Sequence, residues 1–91
     1  MNGIFFFDPA DRIYADHFPG NPVVPGSLIV HAFMEAGKKI GFTKGCGAEN
    51  FRFKRFISPG EYPYCIQFQP NCLKCELYHE DKTVVSGTLK T

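Results

Sequence analysis

Residues 19–26 hold three prolines and two glycines in eight positions, as Pro19, Gly20, Pro22, Pro25 and Gly26. Proline fixes φ and lacks an N–H, while glycine opens backbone regions closed to other residues. Neither a helix nor a strand can run through such a stretch, so an ordered, extended turn is predicted. From Ser27 the pattern changes. Apolar residues recur at Leu28, Ala32, Ala36 and Ile40, with Ile29, Phe33 and Met34 widening the stripe, which is helical spacing. Ser27 is the expected N-cap, Gly37 or Gly41 the expected stop, and Lys38-Lys39 suits the negative end of the helix. The start of such a helix offers unpaired N–H groups to an electron-rich oxygen. An imidazole, His17, lies just upstream of the turn.

The remainder of the chain reads mostly as strands. Ile4 to Phe7 is a short apolar run stopped by Asp8-Pro9-Ala10-Asp11, a turn by composition, and Arg12 to Ala15 resumes an extended segment. After the helix, Gly41 to Gly47 is a loop. Phe51, Phe53 and Lys54 to Ile57 fit a strand, with Phe51 and Phe53 on one face and Arg52 and Lys54 on the other. Ser58-Pro59-Gly60-Glu61 is a turn, Tyr62 to Gln69 alternates again, and Pro70-Asn71 breaks it. Leu73 to His79 and Thr83 to Leu89 bracket Glu80-Asp81-Lys82 as a hairpin. One helix among four to six strands is an α+β pattern, and 91 residues leave room for one domain, 1–91.

An apolar content of 44% with 21% charged residues is that of a globular protein. A net charge of +1 provides no basic field for nucleic acid. The run Ile4 to Phe7 is too short for a membrane span or a signal-peptide core and has no basic leader, so a cytoplasmic location is expected, with the four cysteines as reduced thiols. Ten phenylalanines and four tyrosines are more than most chains of this length carry. Core packing accounts for most of them, and an oligomer interface or an acyl tunnel can use the rest.

His17-Phe18-Pro19-Gly20-Asn21-Pro22, followed by Val23-Val24-Pro25-Gly26 and the apolar helix, resembles the signature of the 3-hydroxyacyl-(acyl carrier protein) dehydratases. Asn50 to Glu61 is similar to that family's strand and its Pro-Gly-acid turn, and Val84 to Gly87 to its last strand. The resemblance covers nearly the whole chain. It implies a hotdog fold, in which a curled antiparallel sheet wraps one central helix, assembled at least as a dimer. Family members usually carry a longer segment before the histidine than the sixteen residues here, so the exposed flank is expected to be covered by a partner chain or left open.

The resemblance also assigns roles. Removing the proton next to a thioester carbonyl needs a base, and imidazole titrates near neutral pH; His17 takes that place. The Gly26 N–H takes the place of the donor to the thioester oxygen. Fourteen residues after the motif histidine the family places a carboxylate, which delivers a proton to the departing hydroxyl from the neighbouring subunit. This chain has His31 there, and Glu35 one turn later, where it can hydrogen-bond His31. Three activities stay open: dehydration of a 3-hydroxyacyl thioester on acyl carrier protein or coenzyme A, a non-catalytic acyl-binding or structural hotdog subunit, and an acyl thioesterase. No cofactor is expected, and no nucleic acid or membrane partner. Cys72-Leu73-Lys74-Cys75 with His79 is half of a zinc site without a second half, and residues three apart on a strand face opposite ways. Arg52, Lys54 and Arg55, with Lys38, Lys39 and Lys44, offer positive charge to an acidic carrier protein.

Overall fold

The computed structural model describes residues 1–11, 23–41 and 47–90. In chain order it has β1 (Asn2–Phe7), α1 (Gly26–Lys39), β2 (Gly47–Phe53), β3 (Gly60–Gln69), β4 (Cys72–His79) and β5 (Lys82–Lys90). The five strands form one antiparallel sheet in the order β1-β3-β4-β5-β2. The helix packs on one face of it, as the hotdog expectation requires.

Alternation decides which side chains meet the helix. Along β3 and β4, Tyr62, Tyr64 and Ile66 and then Leu73, Cys75 and Leu77 are buried, and β5 adds Val85 and Leu89. From the helix, Phe33 is fully buried and meets the rings of Phe5 at 5.0 Å, Tyr64 at 6.0 Å and Phe51 at 6.1 Å. Burial of one such side chain contributes about 1.5–3 kcal/mol, so Phe33 pins the helix to β1, β3 and β2 at once. The buried helix stripe is Ile29, Phe33, Ala36 and Gly37, with Leu28, Ala32, Met34 and Ile40 at its margin. The stripe expected through Leu28, Ala32, Ala36 and Ile40 is therefore rotated.

The helix begins two residues earlier than expected. Pro25 is the N-cap with an extended backbone, φ −61° and ψ 142°, and no side chain caps the end; Ser27 sits inside the first turn. The pyrrolidine already holds φ where the cap needs it, which replaces the side-chain cap. At the other end Gly37 stays helical and buried, while Ile40 and then Gly41, at φ +93°, close the helix after Lys38 and Lys39, with glycine in the left-handed position that it alone occupies without cost.

Two strand boundaries also move. The strand expected through Ile57 ends at Phe53, where Lys54 still donates its N–H to the Val84 carbonyl at 2.8 Å before 55–59 turn away. At its start, β2 pairs Glu49 with Thr88 but Arg52 with Ser86, three steps on one strand against two on the other. Asn50, at φ +55°, absorbs the extra residue as a β-bulge. The bulge exchanges the faces of everything after it, so Phe51 and Phe53 point inward where an unbroken ladder would put Asn50 and Arg52. The β4–β5 hairpin is tighter than expected. Lys82 belongs to β5, and Glu80 and Asp81 form the turn with φ of +52° and +63°, the two left-handed residues of a type I′ turn. The Asp8–Asp11 turn stands as expected, with the Asp11 N–H on the Asp8 carbonyl at 3.1 Å. The extended segment expected over Arg12 to Ala15 lies outside the described residues.

Candidate functional site

His17 and the Phe18–Pro22 turn lie outside the described residues. The described part of the motif begins at Val23 and leads directly into the helix. The Val24 N–H donates to the Ile57 carbonyl at 2.8 Å, and the first helical bonds run from Leu28 and Ile29 to the Pro25 carbonyl at 3.0 and 3.3 Å. The N–H groups of Gly26 and Ser27 precede that first bond, so the helix ladder supplies them no acceptor. Around this end lies a cavity of about 210 Å³ lined by Val23, Val24, Pro25, Gly26, Ile29, Phe53, Arg55, Phe56 and Ile57. Its floor, made by Val24, Ile29 and Ile57, is almost wholly buried. An oxygen held at this helix end sits in apolar surroundings, where a backbone N–H interacts more strongly than in water.

His31 is elsewhere. It follows Gly26 by five residues, a rise of about 7.5 Å and a turn of about 140° around the helix. Its side chain is 67% exposed, and it lines a second cavity of about 230 Å³ with Phe6, Phe7, Asp8, Asp11, Leu28 and Ala32. His31 Nε2 stands 3.7 Å from Glu35 Oε1, which is beyond a hydrogen bond and makes the expected His31–Glu35 bond a loose, solvent-facing ion pair that exists only when the imidazole is protonated. Glu35 is shared with Lys38, whose Nζ lies 3.4 Å from the same oxygen. Pairs this exposed stabilise by less than about 1 kcal/mol. Within one chain, then, the structure keeps His31 and Gly26 on different sides of the helix, and Glu35 on the His31 side.

The cysteine segment shows why spacing alone misleads. Cys75 is fully buried in the core, whereas Cys72 is half-buried on the opposite face, its Sγ 3.2 Å from Gln69 Oε1. Burial, and then the neighbouring Cys72, push the Cys75 thiol up to about 12. Among the described residues no group of three His, Cys, Asp or Glu side chains is placed to hold a metal.

The family model described as ApeI dehydratase matches residues 2–88. The chain belongs to the ApeI dehydratase-like family. Among curated proteins, the 3-hydroxyacyl-[acyl-carrier-protein] dehydratase FabZ of Herpetosiphon aurantiacus is 39% identical over 60 residues, covering 56% of this chain and 43% of that protein. The FabZ of Lactobacillus helveticus is 31% identical over 94 residues, covering 87% of this chain and 64% of its own length. The chain spans about two fifths of the length of most of the curated relatives it matches. A solved structure titled "The Dehydratase Heterocomplex ApeI:P from Xenorhabdus doucetiae" superposes with a TM-score of 0.82 at 21% identity, covering 98% of this chain and 83% of that one. That likeness establishes the hotdog fold for this member of the ApeI-like family.

Three residues at the Gly26 cavity carried no signal that placed them in its wall in the sequence of this ApeI-like chain. Phe53 read as a strand aromatic, Arg55 as positive charge for an acidic carrier protein, and Phe56, 87% exposed, as part of a strand. What brings them to the helix start is the break in β2 pairing after Lys54, a tertiary feature. The dehydratase resemblance, by contrast, marked Gly26 directly.

Proposed function

We propose that the chain, as a single hotdog domain over 1–91, dehydrates a 3-hydroxyacyl thioester carried by acyl carrier protein or coenzyme A. The observation that carries this reading is the Gly26 helix start, with no helical acceptor for its N–H, opening into an apolar cavity in a chain of the ApeI dehydratase-like family. His17 removes the proton from the carbon next to the thioester carbonyl. Negative charge gathers on the thioester oxygen, where the Gly26 N–H donates to it. The electron pair then forms the carbon–carbon double bond as the 3-hydroxyl leaves, taking a proton to become water. The proton comes from His31 of a second copy, because within one copy His31 and Gly26 line different cavities. Glu35 stands beside His31 as its counter-charge. No cofactor takes part, since each step moves only a proton or the electron pair of a bond already in the substrate.

Arg52, Lys54 and Arg55 are exposed around the end of β2, and Arg55 also lines the cavity. They form the basic rim that meets an acidic carrier protein. The assembly is a dimer or a larger oligomer of hotdog units working in the cytoplasm; among the described residues no helix is long and apolar enough to cross a membrane. Incubating the purified protein with a panel of 3-hydroxyacyl thioesters, and following enoyl product and free thiol separately, tests the reading. Enoyl product supports dehydration. Free thiol without enoyl product replaces it with thioester hydrolysis.

A second reading is favoured by one observation, the exposed imidazole standing where the family has a carboxylate. In it the chain is an acyl-binding subunit that pairs with another hotdog chain supplying the carboxylate, and the similar solved structure is itself titled a heterocomplex. Turnover by the isolated homomer excludes this as the whole account.

A further inference from the structure

Phe53 ends β2, and its ring lies across the first residue of the helix. A Cβ built on Gly26 would stand 3.1 Å from the ring's Cζ and 3.3 Å from both Cε atoms. The same ring lines the apolar cavity and remains 42% exposed, so one of its sides rests on backbone and another faces open space. The other apolar walls differ. Val24, Ile29 and Ile57 belong to the buried floor, at 3%, 2% and 4% exposure, and cannot be trimmed without opening the core. Phe56, at 87% exposure, projects into solvent and bounds little. Behind Phe53 stands Phe51, with its ring centroid 6.4 Å away and the planes 26° apart. Phe51 is held in turn against Phe33 and Gly87.

The size of the cavity decides what fits. About 210 Å³ is somewhat more than the roughly 150 Å³ that accommodates benzene in an engineered apolar cavity. That is room for a short alkyl chain beside Gly26. Each methylene placed in such a cavity raises affinity about fourfold until the space is filled; after that, further carbons add nothing or cost binding.

We propose that Phe53 is the specificity-determining wall of this cavity: it limits the acyl group held beside Gly26 to short chains, and its removal extends the cavity to Phe51 and lengthens the preferred chain. The proposal rests on the reading that this cavity takes the acyl thioester, and the test separates the two. The probes are acyl-pantetheines of graded chain length with an amide in place of the thioester, titrated calorimetrically against the full chain and against Phe53→Ala and Phe53→Leu. With the wild-type chain, affinity rises with length and then breaks. Phe53→Ala moves the break to chains several carbons longer, and Phe53→Leu moves it by less. Phe53→Leu carries the test alone if Phe53→Ala fails to fold. An unmoved break in a folded variant overturns the proposal, as does the failure of every probe to bind. A break that moves while 3-hydroxyacyl thioesters give no enoyl product leaves the wall standing and removes the dehydration reading. Enoyl product with an unmoved break does the reverse.

Discussion

The ring of Phe51 occupies the space that a side chain at position 87 would need. Gly87 is buried on β5, and its missing Cβ lets an aromatic from the neighbouring edge strand lie flat on the sheet, where it backs both Phe33 and Phe53. Gly87→Ala forces that ring aside. Overpacking of this kind costs about 1–3 kcal/mol. The expected result is a lower denaturation midpoint with an unchanged m-value, and Phe51→Leu in the same chain should recover part of the loss.

Gly26→Ala separates stability from activity. Alanine fits the helical backbone there and lowers the entropy of the unfolded chain, a gain of about 0.4–1 kcal/mol, so the melting temperature should hold or rise. The new methyl group meets the Phe53 ring at 3.1 Å and displaces it by a few tenths of an ångström. A fall in thioester turnover without loss of stability is the expected outcome, because alanine keeps the N–H but its methyl group intrudes on the space beside it.

His17→Ala should abolish thioester turnover and leave the circular dichroism spectrum intact. Turnover at the wild-type rate would mean that the motif serves structure alone.

His31→Ala should lower dehydration by about 10²–10⁴-fold, the usual worth of a positioned acid. His31→Glu should restore it or improve on the wild-type chain. If each site draws His17 and His31 from different copies, mixing His17→Ala with His31→Ala subunits after unfolding and refolding them together should regenerate activity absent from either alone. Refolded mixtures with no gain would overturn the reading in which the site is shared between copies.

Cys75 links stability to alkaline pH. Its thiol is neutral in the folded chain up to about 12, against 9.0 for an ordinary thiol, so from about pH 9 the unfolded chain releases a proton that the folded chain retains. Stability is therefore full below pH 9 and falls as pH rises towards 12. Cys75→Ala should be less stable at neutral pH, through the cavity it leaves, but should show a shallower decline over that window. At pH 8, alkylation of native protein should spare Cys75 and reach the half-buried Cys65 and Cys72 first.

The elements themselves were legible, because periodicity and turn chemistry are local. The Asp8–Asp11 turn, the helix closed by Gly41, the Pro70-Asn71 turn and the strands on either side all follow from nearby residues. Misreadings arose where a distant partner decides the outcome. Ser27 looked like a cap only while the preorganised backbone of Pro25 went unweighed. The Phe51-to-Ile57 strand stopped short because Lys54 still reaches Val84 but residues 55–59 turn toward the helix start. The helix stripe rotated toward Phe33 because three strands offer it aromatic neighbours. At the site, Gly26 was legible from the motif and Phe53 was not, since nothing near Phe53 in the chain signals that its ring will rest on a glycine twenty-seven positions earlier.

The left-handed Asn50 gives this protein an asymmetric tolerance to evolutionary change. A point substitution at position 50 that accepts positive φ, such as glycine, keeps the two aromatics beyond it facing the helix. A β-branched residue there resists positive φ and favours an uninterrupted ladder with every residue kept, which would bring Arg52 into the core and turn Phe51 and Phe53 out to solvent. Deleting Asn50 instead removes the extra residue and leaves Arg52 opposite Ser86 and Phe53 opposite Val85. The β2 segment should therefore accept loss of its bulged residue yet be closed at that position to side chains that reject left-handed backbone. In a chain this small, the facing of two aromatics hangs on the backbone angle of one exposed residue.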